Sequence, residues 1–142
     1  MPEKMEIQNS NPVITLPKFD RADTAFVEVA NRIFAYEEDK DLEEADIVVM
    51  EESFFQDGLM KNDKDYRIVN LISQNYRNKK IVVKLHPRTK ENRFEDKFTV
   101  LKATNIPWEL YLLNRSYEDK IFVSIACSTL ISQKLLYNDE YR

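Results

Sequence analysis

Short, continuously apolar runs alternate along this chain with segments of helical periodicity. The run DIVVM (residues 46–50) is apolar at consecutive positions, as expected for a strand buried on both faces of a sheet. The run KKIVVKLHP (79–87) ends at a proline that cannot continue a strand, and KIFVSIA (120–126) is also rich in β-formers. Strands separated by helices are typical of βαβ units. The sequence therefore predicts an α/β fold with a Rossmann-like parallel sheet and flanking helices.

Four segments with helical spacing lie around these strands: residues 22–38, 64–76, 106–114 and 127–138. Asp23 or Thr24 is suited to cap the first helix, and Ser128 the last. Pro107 stands near the start of the third, where its missing N–H costs nothing. The apolar residues of the first helix share one face: Phe26, Val27, Ala30, Ile33 and Phe34.

The remaining segments complete the expected domain organisation. A short strand is predicted at 13–19, a weaker one at 98–103, and a solvated acidic connector at 38–46. A length of 142 residues fits one domain. We therefore expect a flexible tail at 1–11 and a single domain at 12–142, whose last helix runs nearly to the final residue.

Composition excludes several classes of protein. The 21 basic and 25 acidic side chains give a net charge of -4, which argues against nucleic acid as a partner. The single cysteine, Cys127, excludes an internal disulfide, and with one histidine it argues against a zinc site. No apolar run approaches the roughly 20 residues of a membrane span, and the polar N-terminus does not read as a signal peptide. A cytoplasmic protein is expected.

Polar residues follow three of the predicted strands, at the edge where parallel sheets bind ligands. They fall into three groups: Gln56, Asp57 and Gly58; Lys84, His86, Pro87 and Arg88; and Ser124 with Ser128 and Thr129. His86 either simply ends a strand or serves as a phosphate ligand or general acid, since imidazole exchanges a proton near physiological pH. Lys84 and Arg88 would add positive potential for a phosphate.

Gly58 is the only glycine of the chain and directly follows Asp57. Asp-Gly is a common turn dipeptide, so a plain turn is one interpretation. The alternative is a carboxylate base on a sharp loop, with Gly58 supplying a positive φ or room for a substrate. Because the chain makes its other turns without glycine, we expect a steric need at this position.

The later groups also have a structural and a functional interpretation. Ser128 and Thr129 suit an N-cap, and a helix N-terminus also binds phosphate. Glu109 complements a helix dipole or bonds a ribose. Four further residues fit other roles: Cys127 and Trp108 as packed side chains, and Glu51 and Glu52 as supporting or solvated carboxylates after the first buried strand.

Taken in order, four stretches resemble the nucleotide-sugar half of bacterial sialyltransferases. They are IVVMEESFFQDGLM, KKIVVKLHPR, IPWELYLLN and IFVSIACSTLISQKLLYN, which together span roughly residues 46–142. The resemblance is to the lipooligosaccharide sialyltransferase and polysialyltransferase-like group, similar to glycosyltransferase family 52. That group carries an acidic-acidic-Gly motif, a His-Pro motif after a Lys-bearing strand, and a Ser/Thr motif at a later helix start.

The resemblance implies the C-terminal, Rossmann-like half of a GT-B glycosyltransferase. The implied donor is CMP-sialic acid, transferred to a glycan hydroxyl with inversion and without a metal or other cofactor, in capsule or lipooligosaccharide synthesis. Asp57 matches the family's general base, and His86 matches the histidine that assists the leaving CMP. Ser128 and Thr129 match residues that hold the phosphate, and Glu109 lies in the cytidine and ribose region.

The chain departs from the family pattern at Gln56, which replaces the first acid, and at Leu85, which stands where many relatives have proline. The length leaves no room for the acceptor-binding half, which suggests a truncated gene product or one half of a split protein. The alternative function is a non-catalytic nucleotide-binding or interaction module. Core surface left by a missing half favours a homodimer, and a peripheral position at the inner membrane is an alternative to the open cytoplasm.

Overall fold

The computed structural model describes residues 18–60, 64–103 and 105–137. The described strands are β1 (Ile47–Met50), β2 (Ile81–Lys84), β3 (Thr99–Val100) and β4 (Ile121–Val123). The described helices are α1 (Thr24–Phe34), α2 (Lys40–Glu44), α3 (Lys64–Asn75), α4 (Trp108–Asn114) and α5 (Ser128–Leu136). The strands form one sheet in the order β3-β2-β1-β4, and every neighbouring pair is parallel. The predicted α/β fold with a Rossmann-like parallel sheet is confirmed.

Both faces of the sheet are covered, which explains why β1 is apolar at every position. Ile47 and Val49 pack into a cluster with Val69 of α3 and with Phe94. Because side chains alternate across a strand, the other two residues of β1 enter a second cluster on the opposite face. That second cluster contains the buried residues of α2 and α4, and partly buried residues of α1 and α5 pack against it. Helix α3 therefore covers one face and the other helices the opposite one.

Aromatic side chains dominate the face that α4 covers. Trp108 is 3% exposed and its ring lies 5.4 to 5.8 Å from the rings of Tyr111, Tyr117 and Phe122. Burial raises the pKa of Tyr111 to about 12 and raises that of Tyr117 as well. Trp108 is a packed side chain, as its sequence context indicated, although part of it also reaches the crevice described below.

Helix α1 begins where the sequence predicted, but its apolar face is only partly covered. Asp23 is the N-cap, and its side chain accepts a hydrogen bond from the backbone N–H of Phe26. Val27 and Ala30 pack against the core. In contrast, Phe26, Ile33 and Phe34 remain 43% to 71% exposed, so the shared apolar face is only partly covered. Helix α1 lies at the margin of the layer that contains α4, and Val27 and Ala30 are the residues of its apolar face that reach the interior.

Three other expectations are corrected or fall outside the described residues. The acidic segment 38–46 is not a plain connector, since Asp39 caps the short helix α2 and Leu42 is fully buried. Most of the predicted strand at 13–19 lies outside the described residues, and its last two residues are irregular. The tail at 1–11 and residues 138–142 also lie outside them.

The edge of the sheet at which the strands begin is held by paired charges. Asp46 accepts hydrogen bonds from Lys79 Nζ and from the backbone N–H of Lys80, and the Lys79 bond lowers the pKa of Asp46. Lys120 is 1% exposed, and its Nζ donates to the carbonyl oxygens of Glu43 and Ala45 at 2.8 and 2.7 Å. This buried ammonium joins the end of α2 to the start of β4, so its role is structural.

Candidate functional site

A crevice of about 380 Å³ opens at the carboxyl ends of the strands. Its walls are the residues that follow β1 and β2 and the first residues of α4 and α5, which include Glu51, Lys84, Glu109 and Ser128. Strand β1 lies between β2 and β4, and the helices that follow β1 and β4 cover opposite faces of the sheet. Such a switch point is where open α/β sheets bind ligands.

Lys84 is a buried cation in the wall of this crevice. Lys84 is the last residue of β2 and is 6% exposed. Among the described residues, no hydrogen-bond acceptor or carboxylate pairs with its Nζ, which lies 5.9 Å from the centre of the Tyr111 ring. Burial lowers the pKa of Lys84, and the charge of Glu109 opposes that effect. A cation on a mostly buried side chain that has no protein partner among the described residues is poorly compensated, so this arrangement suits an anionic ligand.

His86 lines the crevice, and one hydrogen bond distinguishes its two ring nitrogens. Its Nδ1 accepts a hydrogen bond of 3.2 Å from the backbone N–H of Arg88. In the neutral ring the proton then resides on Nε2, which makes that atom the donor. The backbone N–H of His86 itself donates to Glu51 Oε2 at 2.8 Å. The loop after β2 is thus tied to the end of β1, which holds the imidazole at the crevice.

Glu51 and Glu52 are buried supporting residues and are not solvated. Glu51 is 5% exposed and also accepts a bond of 2.6 Å from Thr89 Oγ1. Glu52 is 8% exposed and accepts a bond of 2.7 Å from Ser124 Oγ, which in turn accepts from the backbone N–H of Cys127. The two carboxylates therefore fix the loops that follow β2 and β4, one on each side of β1.

Helix α5 starts at the crevice without a side-chain cap. The predicted cap was wrong, because the N-cap is Cys127 and Ser128 is already the first helical residue. The side chains of Ser128 and Thr129 instead lie among the crevice-lining residues. A helix N-terminus carries N–H groups without intrahelical partners, which favour an anion. The hydroxyl that the sequence suggested for capping is thus left on the ligand side.

The start of α4 forms the facing wall. Pro107 is its N-cap, as the sequence indicated, and Glu109 lies in its first turn. Glu109 lines the crevice, while its carbonyl oxygen accepts a bond of 2.7 Å from Tyr137 Oη. The buried Nε1 of Trp108 has no hydrogen-bond partner among the described residues. The structure thus places six predicted residues together at the crevice: Lys84, His86, Pro87, Glu109, Ser128 and Thr129.

Asp57, Gly58 and Arg88 do not line the crevice. Asp57 and Arg88 lie in a separate groove, and Arg88 Nη2 forms an ion pair of 3.1 Å with Asp57 Oδ2. Arg88 nevertheless links the two places, because its backbone N–H bonds His86. Gly58 has φ +69°, and a Cβ there would meet no atom within 4 Å. The steric need at Gly58 is therefore the left-handed backbone itself and not close packing.

Sequence reasoning missed two contributors to this region. Ser53 is 3% exposed, and its Oγ donates to Asp57 Oδ2 at 2.6 Å. Its position one residue after the paired acids was the available signal, but a serine in a loop is too common to single out. Cys127 lines the crevice as well as packing against the core. Within the described ranges no cluster of three or more His, Cys, Asp or Glu residues could hold a metal ion.

Comparisons with known proteins bear on the identity of the chain. Residues 7–141 match the family model described as alpha-2,8-polysialyltransferase. A search of curated proteins and a search of solved structures each found no match. None of the described helices combines the length and apolar character needed to cross a membrane. Because the family model covers nearly the whole sequence, the chain belongs to the alpha-2,8-polysialyltransferase family and is a sialyltransferase-type glycosyltransferase.

Proposed function

We propose that this chain is the donor-binding domain of an inverting sialyltransferase that takes sialic acid from CMP-sialic acid. The observation that carries the proposal is the crevice, which brings three anion-binding features to one switch point. These are the unpaired ammonium of Lys84, the Nε2 donor of His86 and the uncapped start of α5 at Ser128. A nucleoside monophosphate carries the charge that such a site attracts.

Within this proposal, the crevice residues neutralise the leaving group. The bond between the anomeric carbon and the phosphate oxygen breaks, and CMP leaves with the electron pair. Lys84 and the N–H groups at Ser128 and Thr129 stabilise the added negative charge, and His86 Nε2 donates to the phosphate. Glu109, on the facing wall, bonds the ribose, and Pro87 keeps the His86 loop in place. No metal is required where cations and a helix N-terminus supply the charge.

The acceptor side of the reaction is assigned to Asp57. Its carboxylate takes the proton of the acceptor hydroxyl, whose oxygen then forms the new bond to the anomeric carbon from the face opposite CMP. A single displacement of this kind inverts the configuration. Gly58 supports the role by providing the left-handed turn that follows Asp57.

The proposal extends to the larger protein. The Rossmann-like sheet with its ligand crevice corresponds to the C-terminal half of a GT-B enzyme, in the manner of glycosyltransferase family 52. A second domain would complete the cleft and exclude water from the donor. The setting we propose is bacterial capsule or lipooligosaccharide synthesis in the cytoplasm or at the inner face of the membrane. The exposed Phe26, Ile33 and Phe34 favour self-association of the domain alone as a homodimer.

The second candidate function is a nucleotide-binding module that does not catalyse transfer. It is favoured by one observation, which is that Asp57 lies outside the crevice that holds His86. In that case CMP would bind and no sialic acid would move. Both candidates share the donor site and differ in whether Asp57 acts.

Calorimetry with CMP tests the donor site. We expect micromolar binding that weakens about tenfold or more in His86→Ala, because a hydrogen bond to a charged phosphate is lost. Lys102→Ala, an exposed lysine outside the crevice-lining set, is the matched control and should bind like the parent chain. Folded protein with no measurable CMP binding would contradict the proposal.

Hydrolysis of CMP-sialic acid separates the two candidates. We expect slow release of sialic acid by the parent chain and its loss in Asp57→Asn, which keeps the shape of the side chain and removes the base. Unchanged CMP binding by that variant would show that the donor site is intact. Hydrolysis that survives in Asp57→Asn would contradict the assignment of Asp57 as the base.

A further inference from the structure

Cys127 is the single cysteine of the chain, and it lies in the wall of the crevice. It is the N-cap of α5 and is partly exposed, between the exposed residues Ala126 and Ser128. Its backbone N–H donates to Ser124 Oγ at 2.9 Å, and that hydroxyl donates to the buried Glu52. The backbone that carries the thiol is therefore held by the loop that follows β4, in a position that a small reagent can reach.

An independent feature of the crevice indicates which reagents would be attracted there. Lys84 is 6% exposed, lines the same crevice, and has no hydrogen-bond acceptor or carboxylate partner among the described residues. Burial lowers the pKa of Lys84, and the charges of Glu109 and of a Cys127 thiolate oppose that effect, so the lysine and the cysteine interact electrostatically. A negatively charged group attached to the sulfur would meet a poorly compensated ammonium.

The carboxylates of the crevice do not stand on the same wall as the thiol. Glu51 and Glu52 are occupied by hydrogen bonds to the loops that follow β2 and β4. Glu109 lies in the first turn of α4, which forms the facing wall. The first N–H groups of α5, next to Cys127, have no side-chain cap among the described residues. The wall that carries the thiol is therefore the one that favours an anion.

We propose that Cys127 is a modification site for small disulfides that carry a carboxylate, with Lys84 as the partner of that carboxylate. The thiol loses its proton to water, and the thiolate sulfur attacks one sulfur of the disulfide. A new S–S bond joins Cys127 to one half of the reagent, the original S–S bond breaks, and the other half leaves as a thiolate. Cys127 is thereby oxidised, and the departing half is reduced.

The adduct at Cys127 blocks the crevice. The crevice volume of about 380 Å³ lies near the lower end of the roughly 300–1,000 Å³ that is typical of ligand pockets, so a substituent on the sulfur takes space that a nucleotide needs. Its carboxylate also takes the ammonium of Lys84. Modification therefore prevents CMP binding, and a thiol reductant, which regenerates the free cysteine, restores it. This consequence rests on the proposed function, whereas the modification itself does not.

Thiol titration of the full chain with two disulfides tests the charge preference. The probes are dithiobis(nitrobenzoate), which is dianionic, and dipyridyl disulfide, which is neutral. Both release an absorbing thiol, and with one cysteine in the chain the signal reports Cys127 alone. Relative to a small neutral thiol, we expect Cys127 to favour the anionic reagent by about tenfold. An equal ratio of rates, or folded protein that reacts with neither reagent, would overturn the inference.

The Lys84→Met variant tests the proposed partner of the carboxylate, with Lys102→Met, an exposed lysine outside the crevice-lining set, as the matched control. We expect Lys84→Met to slow the anionic reagent about 3- to 10-fold and to leave the rate of the neutral one almost unchanged. Lys102→Met should react like the parent chain. Circular dichroism checks that each variant is folded. An anionic preference that survives in folded Lys84→Met would overturn the pairing.

CMP binding tests the block on the parent chain itself. We expect saturating CMP to slow the reaction of Cys127 about tenfold or more, and the nitrobenzoate adduct to bind CMP at least about tenfold more weakly until dithiothreitol is added. The CMP affinity of Cys127→Ser should not respond to the same treatment. An adduct that binds CMP like the untreated chain would overturn the block. Absence of CMP binding by the untreated chain, with the anionic preference present, would overturn the donor proposal and leave the modification site in place.

Discussion

Two buried lysines stand at opposite edges of the same sheet, and their surroundings differ. Lys120, just before β4, is 1% exposed and donates to two backbone carbonyl oxygens. Lys84, at the end of β2, is 6% exposed and has no such partner among the described residues. Both lysines are mostly buried, but among the described residues it is Lys120 whose ammonium group has protein hydrogen-bond acceptors in place of water.

The difference separates an edge whose charges are paired within the protein from the edge at which we propose that a ligand binds. At the Lys120 edge the neighbouring charges are also paired, as Asp46 is with Lys79. At the Lys84 edge, no side chain of the described residues caps helix α5, and none of them offers a partner to the indole N–H of Trp108. Native proteins satisfy nearly all buried polar groups, so groups without protein partners beside a crevice are consistent with the anion binding that we propose there.

The largest change in the free energy of unfolding is expected for Lys120→Met. Removal of the ammonium leaves two buried carbonyl oxygens without a donor, so the free energy of unfolding should fall by about 2–4 kcal/mol. Urea denaturation measures the change. Lys79→Met, which removes an exposed ion pair with Asp46, is the control and should cost much less. Equal losses of unfolding free energy in the two variants would contradict the structural role of the Lys120 hydrogen bonds.

The free energy of unfolding is expected to change in the opposite direction in Lys84→Met. Replacing an unpaired buried cation by an apolar side chain of similar length should raise the free energy of unfolding by about 0.5–2 kcal/mol. The same variant should bind CMP about tenfold or more weakly, because the phosphate loses a cation. Urea denaturation and calorimetry on one sample give both numbers. A variant that is less stable than the parent would show that Lys84 is a structural residue like Lys120.

The smallest expected effect is a change in how stability and CMP binding depend on pH. Burial lowers the folded-state pKa of Lys84 below the ordinary value of 10.5, so in the window between the two the unfolded chain binds more protons. Stability of the parent chain should therefore rise with pH across that window relative to Lys84→Met, and the advantage of the variant should shrink. CMP binding by the parent should weaken as pH rises through the same window, since the ammonium is lost. Parallel pH profiles for parent and variant would contradict this prediction.

Much of the fold was predictable because local patterns and tertiary packing agree. The run at 46–50 is apolar at consecutive positions, and β1 is buried on both faces. Asp23 caps α1 through a contact three residues away, which a sequence pattern can identify. The acidic segment at 38–46 was missed because its helix depends on one buried residue, Leu42, whose partners are distant in the chain.

The candidate site was predictable in part for a similar reason. Residues that follow the parallel strands of one sheet must lie at one edge, which brings His86, after β2, and Ser128, after β4, to the same crevice. The pairing of Asp57 with Arg88, and the burial of Glu51 under the His86 loop, depend on the paths of loops that no periodicity records. Ser128 was misjudged as a cap because the helix boundary shifted by one residue, a distance that propensity does not resolve.

The sequence by itself determined the alternation of strands and helices, and with it the edge at which the chemistry-bearing residues gather, because burial periodicity and strand direction are local properties. Tertiary structure alone decided which polar groups find partners. Within the part of the chain that the structure describes, Lys120 meets two carbonyl oxygens and Lys84 meets none. Hydrogen bonding over such separations depends on three-dimensional geometry, so two buried lysines at the ends of parallel strands acquire different surroundings.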